Sequence, residues 1–173
     1  MDRTHQQSEL TPRLGRYDID PEASRITFRT DHLLGLAPVR GTMAVRAGTV
    51  TVAEPLAESS VYAEIEAASF RTSNAQRDRA VRSARFLDAS RYPALIFRLG
   101  ALDAAAGSVT GTLTVREVTA PVSLTVEVTE ASGDAFNVRA RTRIDRTEFG
   151  VTASRGLAGR FLRILLEVRC ARM

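Results

Sequence analysis

Apart from arginine, few side chains in this 173-residue chain could do chemistry. There are two histidines, His5 and His32, and a single cysteine, Cys170, against 24 cationic residues that are all arginine. A nucleophilic site of the Ser/His/Asp or Cys/His kind needs a histidine oriented by a further partner. His32 follows Asp31 at the end of a strand-like run, where a hydrogen-bonded structural role is the simpler reading, and His5 stands in a polar stretch near the start. Histidine-based metal sites with ordinary ligand spacing fail for want of ligands, and one cysteine cannot build a multi-cysteine site or an internal disulfide. Cys170 falls on the apolar side of the last alternating run, as a core thiol does. Hydrolase and metalloenzyme classes are therefore set aside. Catalytic residues, metal ligands and cofactors are all expected to be none.

Arginine remains. Guanidinium recognises phosphate in a bidentate way, and two groups of arginines stand out. One lies in "RTSNAQRDRAVRSARFLDASRYP", residues 71–93, where Arg77 and Arg82 are candidates to meet a phosphorylated head group, or else to pair with Asp78 and Asp88 as solvated surface charges. The other is Arg139, Arg141 and Arg143 on one face of a strand-like run, a pattern that nucleic acid could use. No aromatic residues interleave with that second group, as a base-stacking platform requires, so an arginine-rich outer wall is the simpler account. The pI is near 10.1, but the formal net charge is only +4, which names no partner. Absence of lysine beside abundant alanine and valine reads as a coding bias.

The elements that must position these residues are mostly strands. Apolar and polar residues alternate with period two in about eight runs, which argues half-buried strands. Ile26, Phe28 and Thr30 share one face; so do Val39, Gly41, Met43 and Val45, and later Leu162, Ile164, Leu166, Val168 and Cys170. Eight such strands call for an antiparallel sandwich or a closed barrel, and polar residues at nearly every second position favour the barrel, which has no edges to protect. Several inward positions are small, including Gly41, Ala63, Ala67, Gly111 and Ala140, and would leave room inside or be used for packing.

One segment breaks the alternation. Residues 74–88 are predicted to form a helical insertion, with Ser73 as N-cap, Gln76 three residues on, and Pro93 ending any continuation. Ala80, Val81, Ala84 and Leu87 form its apolar stripe, so it can close or frame a barrel mouth. Residues 1–16 read as a flexible polar tail without a secretory apolar core, and 17–173 as one domain. No apolar run approaches the roughly 20 residues of a spanning helix. A reducing, cytoplasmic location is expected.

From Tyr17 onward the chain resembles the YceI-like family of lipocalin-like, polyisoprenoid-binding proteins. The resemblance is carried by "YDID" (17–20), "SRITF" (24–28), "DHLLGLAPVRG" (31–41), "ASFRTSNAQRD" (68–78), "RSARFLDASRYP" (82–93), "GTLTVREVTAPV" (111–122) and "DRTEFGV" (145–151), in that order. The chain departs from the family in having Tyr17 at the usual tryptophan, and Ala80 and Arg85 where histidine and aspartate are usual. The resemblance implies an extended antiparallel lipocalin-like barrel whose pore takes a long isoprenoid tail, with no catalysis. Pore-lining or mouth residues would be Phe28, His32, Leu34, Met43, Phe70 and Phe97, together with Arg77, Arg82, Phe86, Leu87, Tyr92 and Phe149. The expected partner is a long-chain isoprenoid or other lipid, with a homodimer as an option and neither nucleic acid nor stable membrane insertion. The competing reading is a stress-response or interaction module with no lipid ligand.

Overall fold

The computed structural model describes residues 11–30, 38–153 and 159–172. Among the described residues nine strands form: β1 (Gly15–Ile19), β2 (Arg25–Thr30), β3 (Val39–Val52), β4 (Ser60–Thr72), β5 (Ala94–Asp103), β6 (Ser108–Val115), β7 (Val118–Ser132), β8 (Ala135–Asp145) and β9 (Phe161–Ala171). The alternation that predicts them is visible in their burial. Along β7, Val118, Ala120, Val122, Leu124, Val126 and Val128 turn inward, while Thr119, Pro121, Ser123, Thr125 and Glu127 are exposed.

All pairings are antiparallel, and the order β1-β3-β2-β9-β8-β7-β6-β5-β4 closes through β3–β4. The nine strands occupy eight positions, because β1 and β2 lie in series in one slot between β3 and β9. β1 faces Val52 to Thr49, and β2 faces Met43 to Val39. The break between them is a turn held by Asp20, whose Oδ1 accepts from the N–H groups of Glu22 (3.0 Å) and Ala23 (3.3 Å). Ser24 Oγ then accepts the Arg169 N–H at 3.0 Å, tying the break to β9. β1 was legible in the sequence only as the motif "YDID"; it is too short for alternation to reveal. It starts at Gly15, two residues inside the stretch read as tail.

Long strands coil only if the ladder slips. Irregularities fall between Thr42 and Ala44, Val45 and Ala47, Leu99 and Ala101, and Val128 and Glu130. At the first of these, the Ala44 N–H donates to Ser69 Oγ at 2.8 Å.

The small inward residues do not simply leave space. A Cβ on Gly41 would fall 2.3 Å from Phe28 Cζ, and one on Gly48 would fall 2.4 Å from Ile19 Cδ1. Phe28 thus lies flat over the glycine directly opposite it in the ladder, and Phe97 lies over Gly111 on the neighbouring strand. These glycines admit rings from their own wall, so Phe28 and Phe97 lie along the sheet.

The helix, α1 (Ala75–Arg82), is shorter than the predicted 74–88, and its N-cap is Asn74, not Ser73. Asn74 Oδ1 accepts the Arg77 N–H at 3.0 Å. Ser83 ends the helix by turning to extended backbone while its hydroxyl bonds the Ala80 carbonyl, and Asp88 takes a left-handed φ of 48°. α1 packs on β4. The anchor is Asp78, which is buried and accepts from Thr72 N–H (2.9 Å) and Thr72 Oγ1 (2.6 Å). Asp78→Asn keeps an acceptor but removes the charge that strengthens both bonds, so it is expected to cost about 1–2 kcal/mol. A denaturant midpoint that does not move would show that α1 is held by something else.

A candidate lipid pore and its helix-bearing mouth

Two separate apolar clusters occupy the barrel. The first joins Tyr17, Ile19, Ile26, Val45, Val52, Phe136 and Cys170, with Met43 packed against it. Tyr17 is 1% exposed, meets Phe136 edge-on at 4.8 Å, and donates its hydroxyl to the Arg13 carbonyl at 2.7 Å. It is therefore a core residue. Cys170 is also 1% exposed, and burial pushes its thiol up to about 12, so it is an inert core group as its strand position implies.

The second cluster lies at the end that carries α1. Val115, Phe149 and Val151 form it, with Phe86, Leu87, Leu95, Leu113 and Ile144 packed around them. Arg116, in the turn between β6 and β7, ties this mouth together by donating to the Phe86 carbonyl (3.2 Å) and the Gly150 carbonyl (3.0 Å). Arg146 adds donations to the carbonyls of Gly159 and Val151, both at 2.8 Å.

Between the clusters runs a waist. Phe97, Leu99, Leu124 and Val126 point inward by strand parity, belong to neither cluster, and are only partly buried. Ala140 and Gly111 contribute small surfaces at the same level. Among the described residues no three His, Cys, Asp or Glu side chains converge to hold a metal ion.

Of the residues expected at the pore or mouth, Phe28 and Phe70 stack with centroids 5.0 Å apart, both buried. Phe86, Leu87 and Phe149 meet in the second cluster, Met43 joins the first, and Phe97 lines the waist. Tyr92 stands apart, its hydroxyl donating to Glu117 Oε1 at 2.5 Å, which raises its pKa. Arg82 donates through Nε to the Phe70 carbonyl at 3.0 Å, and Arg77 Nη1 approaches Thr72 Oγ1 at 3.4 Å. Neither forms an ion pair with Asp78 or Asp88 among the described residues. His32 and Leu34 lie outside the described residues.

Sequence reasoning missed one polar device at the mouth. Asp145 ends β8, and its Oδ1 accepts from Thr147 N–H (3.0 Å) and Oγ1 (2.6 Å) while Oδ2 takes Arg160 Nε (3.0 Å) and Nη2 (2.9 Å). The Arg160 hydrogen bond, then Thr147, lowers its pKa to about 2. An unfolded aspartate titrates near 3.9. The folded value is the lower one, so this group's stabilisation is present above about pH 4 and is lost as pH falls toward 2. Acid titration of unfolding should show that component, and Asp145→Asn should remove it; an unchanged profile in the variant would exclude Asp145 as its source.

A sequence profile for the YceI-like domain matches residues 17–169. The chain belongs to the YceI-like domain family. Within the family it is 29% identical over 163 residues to Protein YceI of Salmonella arizonae, covering 88% of this chain and 84% of that protein. Among solved structures, the YceI-like barrel superposes on Burkholderia cenocepacia BcnA with a TM-score of 0.74 at 20% identity, covering 87% of this chain and 98% of the other. A polyisoprenoid binding domain from Saccharophagus degradans, described as implicated in plant cell wall breakdown, gives 0.73 at 13% identity, with coverages of 93% and 100%. The YceI-like assignment thus rests on the sequence match, and the structural likenesses fix the same lipocalin-like barrel fold.

Proposed function

We propose that this protein is a non-catalytic carrier that holds the tail of a polyisoprenoid, or a similar long-chain amphiphilic lipid, in the waist of its barrel. The observation carrying this reading is the partly exposed inward set Phe97, Leu99, Leu124 and Val126 between two packed ends. The likeness to a polyisoprenoid binding domain supports it. Burying each methylene contributes roughly 0.8 kcal/mol relative to water, but the tail's resting place is a bilayer or micelle. Net transfer is then close to neutral, as exchange requires. A phosphorylated head group would be met by Arg77 and by the Nη1 side of Arg82, whose Nε and Nη2 already hold the Phe70 carbonyl. The single buried thiol suits work in a reducing compartment such as the cytoplasm.

The test is extraction of the natively purified protein into organic solvent followed by mass spectrometry, paired with titration of the stripped protein by a prenyl alcohol. A stoichiometric isoprenoid, or saturable uptake, is the expected result. Neither lipid nor uptake would leave a barrel without a lipid role and favour an interaction module.

A further inference from the structure

The outer wall carries a charge pattern that only the strand register makes visible. Arg40 stands directly opposite Arg29, Arg29 opposite Arg163, and Arg163 opposite Arg143. Four guanidinium side chains therefore form one row across β3, β2, β9 and β8. With strands about 4.8 Å apart, the row spans about 14 Å. Like charges placed directly opposite destabilise a sheet. Two ladder steps away, the same wall is arranged the other way. Arg25, Glu167, Arg139 and Glu127 alternate in sign across β2, β9, β8 and β7, and Arg139 Nη1 sits 3.3 Å from Glu127 Oε1. Among the described residues, none of Arg29, Arg40, Arg143 and Arg163 forms an ion pair.

Between the two rows lies an open groove of about 1040 Å³, floored by Thr27, Thr42, Thr125 and Leu165 and flanked by Arg71 and Arg141. All four arginines of the row are exposed. The row is at the α1 end of the barrel, beside the mouth, where α1 adds Arg79 and the turn segment after it adds Arg85 and Arg91. The far end instead presents Glu54, Glu58, Asp103 and Asp134. The molecule is therefore polarised, with its cationic end at the helix-bearing mouth.

We propose that the row Arg40, Arg29, Arg163 and Arg143 is a docking face for an anionic phospholipid bilayer, which brings the mouth to the surface where a lipid tail is exchanged. The role in exchange rests on the carrier reading above; the docking face itself does not. Clusters of four to eight cations recognise acidic lipids, with about 1 kcal/mol for each one near the surface. Phe161, on the same lip, lies under Arg143, whose guanidinium covers its ring at 3.9 Å. That cover and the threonine floor deny nucleic acid a stacking platform.

Sedimentation with sucrose-loaded vesicles tests this. Wild type should pellet with phosphatidylglycerol–phosphatidylcholine vesicles, not with phosphatidylcholine alone, and should be released by salt. Arg29→Gln/Arg163→Gln should bind about 25-fold more weakly, about fivefold per arginine. Arg25→Gln/Arg139→Gln, with the same change in net charge, should bind almost as wild type. Equal loss in both variants, no wild-type pelleting, or displacement from vesicles by a single-stranded oligonucleotide would each overturn the proposal. Uptake of a prenyl alcohol from neutral micelles separates the two readings. Uptake without docking removes the docking face alone; docking without uptake removes the carrier reading and leaves the face standing.

Discussion

Leu124→Trp should weaken binding of a short prenyl alcohol from water by about fiftyfold, because an indole in the waist displaces about three methylenes worth roughly 0.8 kcal/mol each. Leu124 is inward and only partly buried, so the wall has slack to accept the ring without unfolding. Leu165→Trp is the matched control: Leu165 floors the outer groove, and a tryptophan there leaves the lumen untouched. Calorimetric titration of both variants and of wild type reads the effect directly. Equal affinities in the two, with melting temperatures preserved, would mean that the tail does not pass Leu124.

Gly111→Val should unfold the barrel at much lower temperature. A Cβ at this position would lie 2.3 Å from the Arg98 carbonyl oxygen and 2.8 Å from Phe97 Cε2, so backbone as well as ring must shift. Overpacking of this kind costs about 3 kcal/mol, which lowers the melting temperature by about 6–12 °C in a domain of this size. Gly133→Ala provides the contrast. Its Cβ meets nothing within 4 Å, and only the left-handed φ of 58° opposes it, at about 1 kcal/mol. A Gly111 variant that melts no lower than the Gly133 variant would refute the close approach of Phe97.

Most of the barrel was legible because inward and outward residues alternate over long strands. Ile26 and Phe28, or Val122 to Val128, declare their face without any partner in view. What alternation cannot carry is register. The arginines at 29, 40 and 163 read as ordinary outward residues and Arg143 as part of a basic run along one strand, and only their alignment across four strands turns a solvated wall into a cationic row. The lumen shows the same limit. Gly41 and Gly111 signal space, but which ring occupies it depends on a neighbouring strand, so the glycines proved to be seats for Phe28 and Phe97. The helix was found where alternation failed, yet its length was overestimated, because Ser83 and Asp88 stop it through backbone hydrogen bonds that a helical-spacing pattern ignores. At the mouth, Arg116 reaches the Phe86 and Gly150 carbonyls, Arg146 the Gly159 carbonyl and Asp145 the Arg160 guanidinium, each across a distance in sequence that no local motif spans.

The split slot of β1 and β2 bears on how the molecule comes to exist. Both short strands depend on β9 along one side, and the Arg169 N–H reaches Ser24 Oγ across 145 residues. Contacts so distant in sequence slow folding. During synthesis the wall from β1 and β2 through β3 to β8 can assemble in order, but the cylinder keeps an open seam until β9 has left the ribosome. Until then the rims of β8 and of β1 and β2 are unpaired templates for another chain, which exposes the nascent protein to aggregation.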